Sequence, residues 1–461
     1  MNKLTLHNPA TGEVIAELPT DDADTVAAKA QRARQALPAW RDTPFAERKA
    51  CVARFRDALT AERETLALTL TREVGKPITQ SRNEVAGLVG RIDFFLAQGE
   101  RSTATETVLA EPGMTERISH EPLGVVANVS AWNYPYFVGG NVFVPALLTG
   151  NVVLYKPSEY ATLTGQHIAR LWHQAGVPAD VFVPLIGAGD VGAALVEQAI
   201  DGLFFTGSYA TGARITQALG RRLVKLQLEL GGKDPTYVCE DVDIRSAAES
   251  VADGAMYNTG QSCCSVERIY VHERIHDEFV VALVETVRGF KVGDPLDEGS
   301  YIGPITRAAQ IGVLEAQVAD ALAKGATLRT GGERLDRPGQ WFAPTVLSEV
   351  DHTMELMREE SFGPIVGVQK VGSDEEAVRL MNDTRYGLTA GVYTRDERRA
   401  KGVLARVNAG SVYWNCCDRV SPRLPWSGYG DSGIGLTLST YGIQAFTRPK
   451  AWHLREPNKN G

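Results

Sequence analysis

Short apolar runs alternate with amphipathic stretches along most of the chain, and this alternation sets the expected architecture. The run at residues 123–129, Leu-Gly-Val-Val-Ala-Asn-Val, closes on turn residues, and residues 150–157 repeat the form and end at Lys156-Pro157. Further runs occupy 181–186 and 203–208, with a helical pattern over 162–176 ahead of the first and a helix opening near Gly212 after the second. Strands apolar at nearly every position and separated by helices predict parallel βαβ units buried on both faces. Such sheets bind ligands beyond the carboxyl ends of their strands. Ahead of them the pattern predicts a helix over 21–40 behind the cap cluster Thr20, Asp21 and Asp22. One long charged helix is expected over 45–74, stopped by Gly75-Lys76-Pro77, and another over 80–98. A second α/β segment is expected from Gly231 to about 430, with strands near 267–272, 364–371 and 411–415. Residues 104–122 lack a helical period and the tail 443–455 is strand-like, so these two are candidates to pair in a small third unit.

A chain of 461 residues suggests about three domains and can bury a core without disulfides or metals. Hydrophobic residues at 44% and charged residues at 23% exclude a disordered or fibrous chain. The formal charge of −8 lacks the basic footprint of a nucleic-acid binder. The start has no apolar signal core, and Asn141 to Tyr155 is interrupted well short of the ~20 apolar residues that span a bilayer. A soluble, cytoplasmic protein with neither nucleic-acid nor membrane partner is expected. The six cysteines show no C-x-x-C spacing, so reduced thiols and no metal site are expected.

Several phrases carry candidate chemistry. Phe205-Thr206-Gly207-Ser208 closes a strand and opens a helix, which suits a diphosphate and equally suits an ordinary βα turn. Lys156-Pro157-Ser158-Glu159 ends another strand, either as a ribose site or as a solvated turn. Cys263 follows Gly260-Gln261-Ser262 in a loop and becomes a nucleophile if its thiol ionises. Glu229, between Leu228 and Leu230, is either a partly buried general base or a strand glutamate facing solvent. The Asn133 amide, in Trp132-Asn133-Tyr134-Pro135, can donate to an oxyanion. Glu360 and Phe362 pair a carboxylate with a ring, suited to a ribose and a flat heterocycle.

Taken together and in this order, these phrases resemble the aldehyde dehydrogenase superfamily. The resemblance starts at Asn8-Pro9-Ala10-Thr11-Gly12 and also takes in Glu229-Leu230-Gly231-Gly232-Lys233 and Pro425-Trp426-Ser427-Gly428. It implies an α/β fold of two Rossmann-type parallel-sheet domains plus a small β-arm for oligomerisation. Mapped by motif, residues 1–103 and 123–230 bind the dinucleotide, 231–436 form the catalytic domain, and 104–122 with 437–461 form the arm. It implies NAD(P)-dependent oxidation of an aldehyde to its acid, in a homodimer or homotetramer. In that chemistry Cys263 attacks the aldehyde, Asn133 steadies the oxyanion, and Glu229 activates the water that hydrolyses the thioester. The cofactor contacts implied are Trp132, Lys156, Ser158, Glu159, Gly207, Ser208, Gly231, Glu360 and Phe362. NAD is expected, with NADP possible, because Glu159 would repel a 2′-phosphate.

The sequence departs from the family at three places. Two charges thought to relay protons are replaced by Val142 and Thr437, as in the class-3-like branch, which the Gly428–Gly435 stretch also resembles. Trp426 stands where phenylalanine is usual. Tyr134, Phe137, Cys264, Cys417 and Trp426 are expected to line the substrate pocket, which would favour apolar aldehydes. Competing readings are a CoA-acylating semialdehyde dehydrogenase, which generally lacks the base at Glu229, a catalytically silent structural or binding relative, and a cysteine esterase.

Overall fold

Six strands form one sheet in the order Gly433–Ile434, Lys225–Glu229, Gly202–Thr206, Val125–Val129, Val152–Lys156, Phe182–Pro184 in the computed structural model, which describes residues 3–457. The last five run parallel, and Gly433–Ile434 is antiparallel to Lys225–Glu229. Val125–Val129 is central, and the chain winds outward from it in both directions, which makes its carboxyl end the topological switch point. The register aligns Thr206 with Glu229 and Val129 with Lys156, so these ends share one edge. Helices cover both faces over a core that includes Phe143, Tyr155, Trp172, Phe182 and Phe204.

A second sheet of seven strands runs Thr327–Thr330, Thr345–Ser348, Ile365–Val371, Val266–His272, Asp234–Val238, Thr389–Tyr393, Ser411–Trp414. All neighbours are parallel except the first pair. A third, antiparallel sheet places Met114–Pro122 between Glu106–Glu111 and Thr447–Arg455. The mixed architecture of two parallel-sheet units and a small antiparallel arm is the one expected. Among the described residues no helix is long and apolar enough to cross a membrane.

Several local expectations change. The helix expected over 45–74 is two, Phe45–Ala61 and Arg63–Val74, broken at Glu62 with φ −101° and ψ 10°. No glycine or proline marks the break. At the break the Glu62 carboxylate pairs with Arg170 of the helix Thr162–Gln174, with Nη2–Oε2 at 2.5 Å. The next helix runs Ile78–Thr103, longer than 80–98. Residues 437–446, expected in the arm, instead leave Leu438, Ile443 and Phe446 buried in the core of the six-stranded unit, and Ser439–Gln444 is helical. The tail strand therefore begins at Thr447. Residues 1–2 and 458–461 of the assigned ranges lie outside the described residues.

Candidate active site

The loop carrying Cys263 is held by backbone that few residues adopt. Asn258, Thr259 and Gly260 have φ of 52°, 59° and 69° in succession. A Cβ at Gly260 would lie 2.2 Å from the Gly363 carbonyl oxygen, so glycine is required there twice over. The Asn258 side chain donates to the carbonyls of Gln261 at 3.1 Å and Asn133 at 3.2 Å. The Thr306 N–H donates to Gln261 Oε1 at 2.9 Å. Asn133 Nδ2 donates to the Gln261 carbonyl at 3.1 Å, tying the switch-point loop to the cysteine loop and leaving its second amide hydrogen free of that bond. Lys76 Nζ donates to the Asn133 carbonyl at 2.6 Å, which fixes the other end of the residue.

Cys263 is partly exposed, whereas Cys264 is buried. The Cys264 thiol donates to Asp418 Oδ1 at 2.9 Å. Its hydrogen bond with Cys263, burial and the Asp418 charge together push it well above the ordinary thiol range. Cys264 is thus a protonated donor at neutral pH. Burial pushes Asp418 itself up to about 7.

Glu229 is the last residue of its strand and only 5% exposed, which excludes the solvent-facing alternative. Thr437 Oγ1 donates to its Oε1 at 2.5 Å and Thr206 Oγ1 to its Oε2 at 3.3 Å. Burial raises its carboxyl above the ordinary range, while these hydroxyls and the Arg91 charge pull it back. Thr437, noted in the sequence only for a missing charge, touches the carboxylate directly. Val142 is buried core and offers nothing to the site.

Cys263, Cys264 and Glu229 line one cavity of ≈ 610 Å³ together with Tyr134, Phe137 and Trp426. Tyr134 and Phe137 stack at 5.8 Å with 10° between planes. Cys417 does not belong to it. Its thiol donates to the Ser250 carbonyl and accepts from the Tyr393 hydroxyl, packed against the seven-stranded sheet, so it is a core residue. Sequence reasoning missed Arg91, Glu84 and Asp253, which also line the cavity. Arg91, Gly87, Glu84 and Gln80 recur at helical spacing on Ile78–Thr103, but a glycine-bearing polar stripe reads from sequence as a solvated face.

A row of groups follows the same sheet edge away from the cavity. Lys156 is buried with Nζ 3.8 Å from Glu159 Oε2, and Ser158 Oγ donates to that carboxylate at 3.4 Å. Burial pushes the Lys156 ammonium down and Glu159 partly restores it. Gly207 lies in the turn before the helix Tyr209–Leu219, which Ser208 caps by accepting from the Thr211 N–H at 3.4 Å. Glu360 Oε1 accepts from the Gly232 N–H at 3.1 Å, and a Cβ on Gly231 would lie 2.2 Å from Glu360 Oε2. Burial, then the Glu267 charge, pushes the Glu360 carboxyl up to about 8. Glu267 accepts from the N–H groups of Ser361 and Phe362 at 2.8 and 3.0 Å and pairs with buried Lys233 at 2.6 Å, which anchors this loop. The Phe362 ring meets Trp132 edge-on at 5.6 Å. A cation–carboxylate pair, a helix N-terminus and a second carboxylate beside aromatic rings fit the ribose, diphosphate and second ribose of a dinucleotide. Among the described residues no group of His, Cys, Asp and Glu could hold a metal ion.

The family model described as "Aldehyde dehydrogenase family" matches residues 2–452. The chain is 35% identical over 444 residues to an NADP(+) succinate-semialdehyde dehydrogenase of Deinococcus radiodurans, covering 96% of this chain and 93% of that one. It is 32% identical over 461 residues to the chloroplastic betaine aldehyde dehydrogenase of Amaranthus hypochondriacus, covering 97% and 92%. The crystal structure of an NAD-dependent aldehyde dehydrogenase from Sinorhizobium meliloti superposes with a TM-score of 0.96 at 33% identity, covering 100% of this chain and 93% of that one. The chain belongs to the aldehyde dehydrogenase family, and its class of activity is the NAD(P)-dependent oxidation of aldehydes.

Proposed function

We propose that this chain oxidises an aldehyde through a covalent intermediate on Cys263, with Asn133 as oxyanion donor and Glu229 as general base. The observation that carries the reading is a partly exposed thiol and a buried, hydroxyl-held carboxylate on one cavity, with the Asn133 loop bonded to the cysteine loop. The Cys263 thiolate forms a bond to the carbonyl carbon, and the carbonyl electron pair moves onto oxygen. The free Asn133 amide hydrogen and the Cys263 backbone N–H stabilise that oxyanion. When bound, the nicotinamide supplies the hydride acceptor. Loss of hydride from carbon leaves a thioester on Cys263. Glu229 takes a proton from water, the water oxygen adds to the thioester carbon, and the C–S bond breaks to return the thiolate and release the acid. The raised carboxyl of Glu229 suits this proton transfer near neutrality.

In this reading the six-stranded unit holds the dinucleotide and the seven-stranded unit carries the nucleophile. The three-stranded arm, which leaves Val108, Trp452 and Leu454 exposed, joins copies of the chain. All six cysteines are free thiols, which suits a reducing cytoplasm. Relatives named for succinate semialdehyde and for betaine aldehyde differ in substrate, so kinship alone chooses neither. The test is NADH formation from a panel of aldehydes with and without CoA. Turnover to the free acid without CoA is expected. A strict need for CoA would replace water by thiol attack, and no turnover at all would overturn the reading.

The cofactor preference rests on Glu159. Ser158 and Lys156 hold its carboxylate in the cleft, where it can accept from free ribose hydroxyls and would repel a 2′-phosphate. Repulsion between such charges near a surface supports a preference for NAD of about tenfold or more. Glu159→Ala is expected to raise kcat/KM with NADP relative to NAD. An unchanged ratio would remove Glu159 as the selector.

A further inference from the structure

Each carboxylate on the cavity already has a protein donor. Glu84 is paired with Lys76, Asp253 accepts from the Tyr301 hydroxyl, Asp418 accepts from the Cys264 thiol, and Glu229 accepts from Thr437 and Thr206. Arg91 is the opposite case. Its guanidinium is buried and carries five N–H donors. Among the described residues it makes one hydrogen bond, from Nη1 to Asn141 Oδ1 at 2.8 Å, and no ion pair within 4.0 Å. A buried cation with a single neutral acceptor is costly unless an anion completes it. Solvation by Glu229 does not complete it, since Glu229 acts on Arg91 only through space.

The surroundings hold this group ready. Arg91 Cζ lies 3.9 Å from the centroid of Phe137, which stacks in turn on Tyr134, so the guanidinium plane is fixed. A Cβ at Gly87 would sit 2.6 Å from the Phe137 ring, while Gly90 faces open space. The two glycines thus let Phe137 lie against the helix and keep a channel open beside Arg91. At the cavity rim, exposed Arg419 and Arg423 have no carboxylate within ion-pair distance among the described residues, which favours the approach of anions.

We propose that Arg91 receives a carboxylate at the far end of the substrate, so that the preferred substrates are aldehydes bearing a terminal carboxylate and the products are dicarboxylates. This rests on the aldehyde-oxidising reading above and replaces the expectation of apolar aldehydes. Planar guanidinium donors match a carboxylate in a two-point bond, and a lysine cannot reproduce that fork.

The test compares two straight-chain aldehydes of equal length, one ending in a carboxylate and one in a methyl group, with the full-length enzyme, Arg91→Gln and Arg91→Lys. A second arm titrates a linear dicarboxylate by calorimetry, which needs no turnover. Cofactor binding checks that each variant is folded. The parent enzyme is expected to prefer the carboxylate-bearing aldehyde by on the order of tenfold to a hundredfold in kcat/KM, the range for a charged hydrogen bond. Arg91→Gln is expected to collapse that ratio mainly through KM and to lose dicarboxylate binding, with Arg91→Lys in between. A parent preference for the methyl-terminated aldehyde, or an equal loss on both substrates in Arg91→Gln, overturns the proposal, the second result assigning Arg91 to Glu229 alone. If neither aldehyde is oxidised, the aldehyde reading fails by itself. Dicarboxylate binding that depends on Arg91 would then still uphold the anion seat, and its absence would overturn it.

Discussion

Cys263→Ala is expected to lower aldehyde oxidation by about a thousandfold or more while leaving cofactor binding intact. The size follows from the role. Without the thiolate no covalent adduct forms, and the oxyanion donors have nothing to act on. The adjacent thiol is no substitute. Cys264 is buried, donates to Asp418, and is held protonated by that contact and by its hydrogen bond with Cys263. Nucleophilic attack needs the thiolate, so a thiol held that far above the ordinary range contributes almost none at neutral pH. Cys264→Ala is therefore expected to keep measurable turnover. Steady-state NADH formation and cofactor titration on the two variants decide the matter, and a dead Cys264→Ala beside an active Cys263→Ala would reverse the assignment.

The two parallel-sheet units were legible because fully apolar runs at 123–129, 150–157 and 203–208 admit few alternatives to buried strands. Their carboxyl ends point to Lys156, Thr206 and the Trp132-Asn133 turn, and Glu229 stands out as a carboxylate between Leu228 and Leu230. Local pattern could not reveal contacts made across the fold. The helix break at Glu62 carries no glycine or proline, and the ion pair Glu62 makes there is with Arg170, far away in sequence. Leu438 and Ile443 return to the first core from a segment whose position suggested the arm. Cys417 neighbours the cavity loop in sequence, yet its thiol turns toward Ser250 and Tyr393. Arg91 was hidden for the opposite reason. Its helix face carries charges and glycines, the usual signature of solvent, and it becomes a cavity wall through packing across the fold, with Phe137 against the guanidinium and the cysteine loop and the 418–426 segment on the other sides.

Glu229→Gln is expected to trap the thioester. Acyl transfer to Cys263 needs no base from this residue, so a rapid burst of about one equivalent of NADH per active site should precede very slow turnover. The amide keeps the shape, its oxygen can accept from one of the two hydroxyls of Thr437 and Thr206 and its NH2 can donate to the other, which separates loss of the base from loss of packing. The steady-state rate is expected to fall by at least about a hundredfold, the range of general-base catalysis. Stopped-flow absorbance gives burst and steady state together, and an unchanged steady state would sink the general-base role. Thr437 gives the same residue a pH signature. The base must be ionised to work, so activity falls as pH drops through the Glu229 pKa, which burial has already raised. The Thr437 hydroxyl donates to the ionised carboxylate and so favours that form. Thr437→Val removes the donor, raises the pKa further, and moves the acid limb of the kcat profile to higher pH by up to about one unit, the equivalent of one hydrogen bond. Thr437→Ser restores the hydroxyl and is expected to return the limb toward its original position. A limb that stays in place in Thr437→Val, or that moves to lower pH, would mean that the hydroxyl contact does not tune the base.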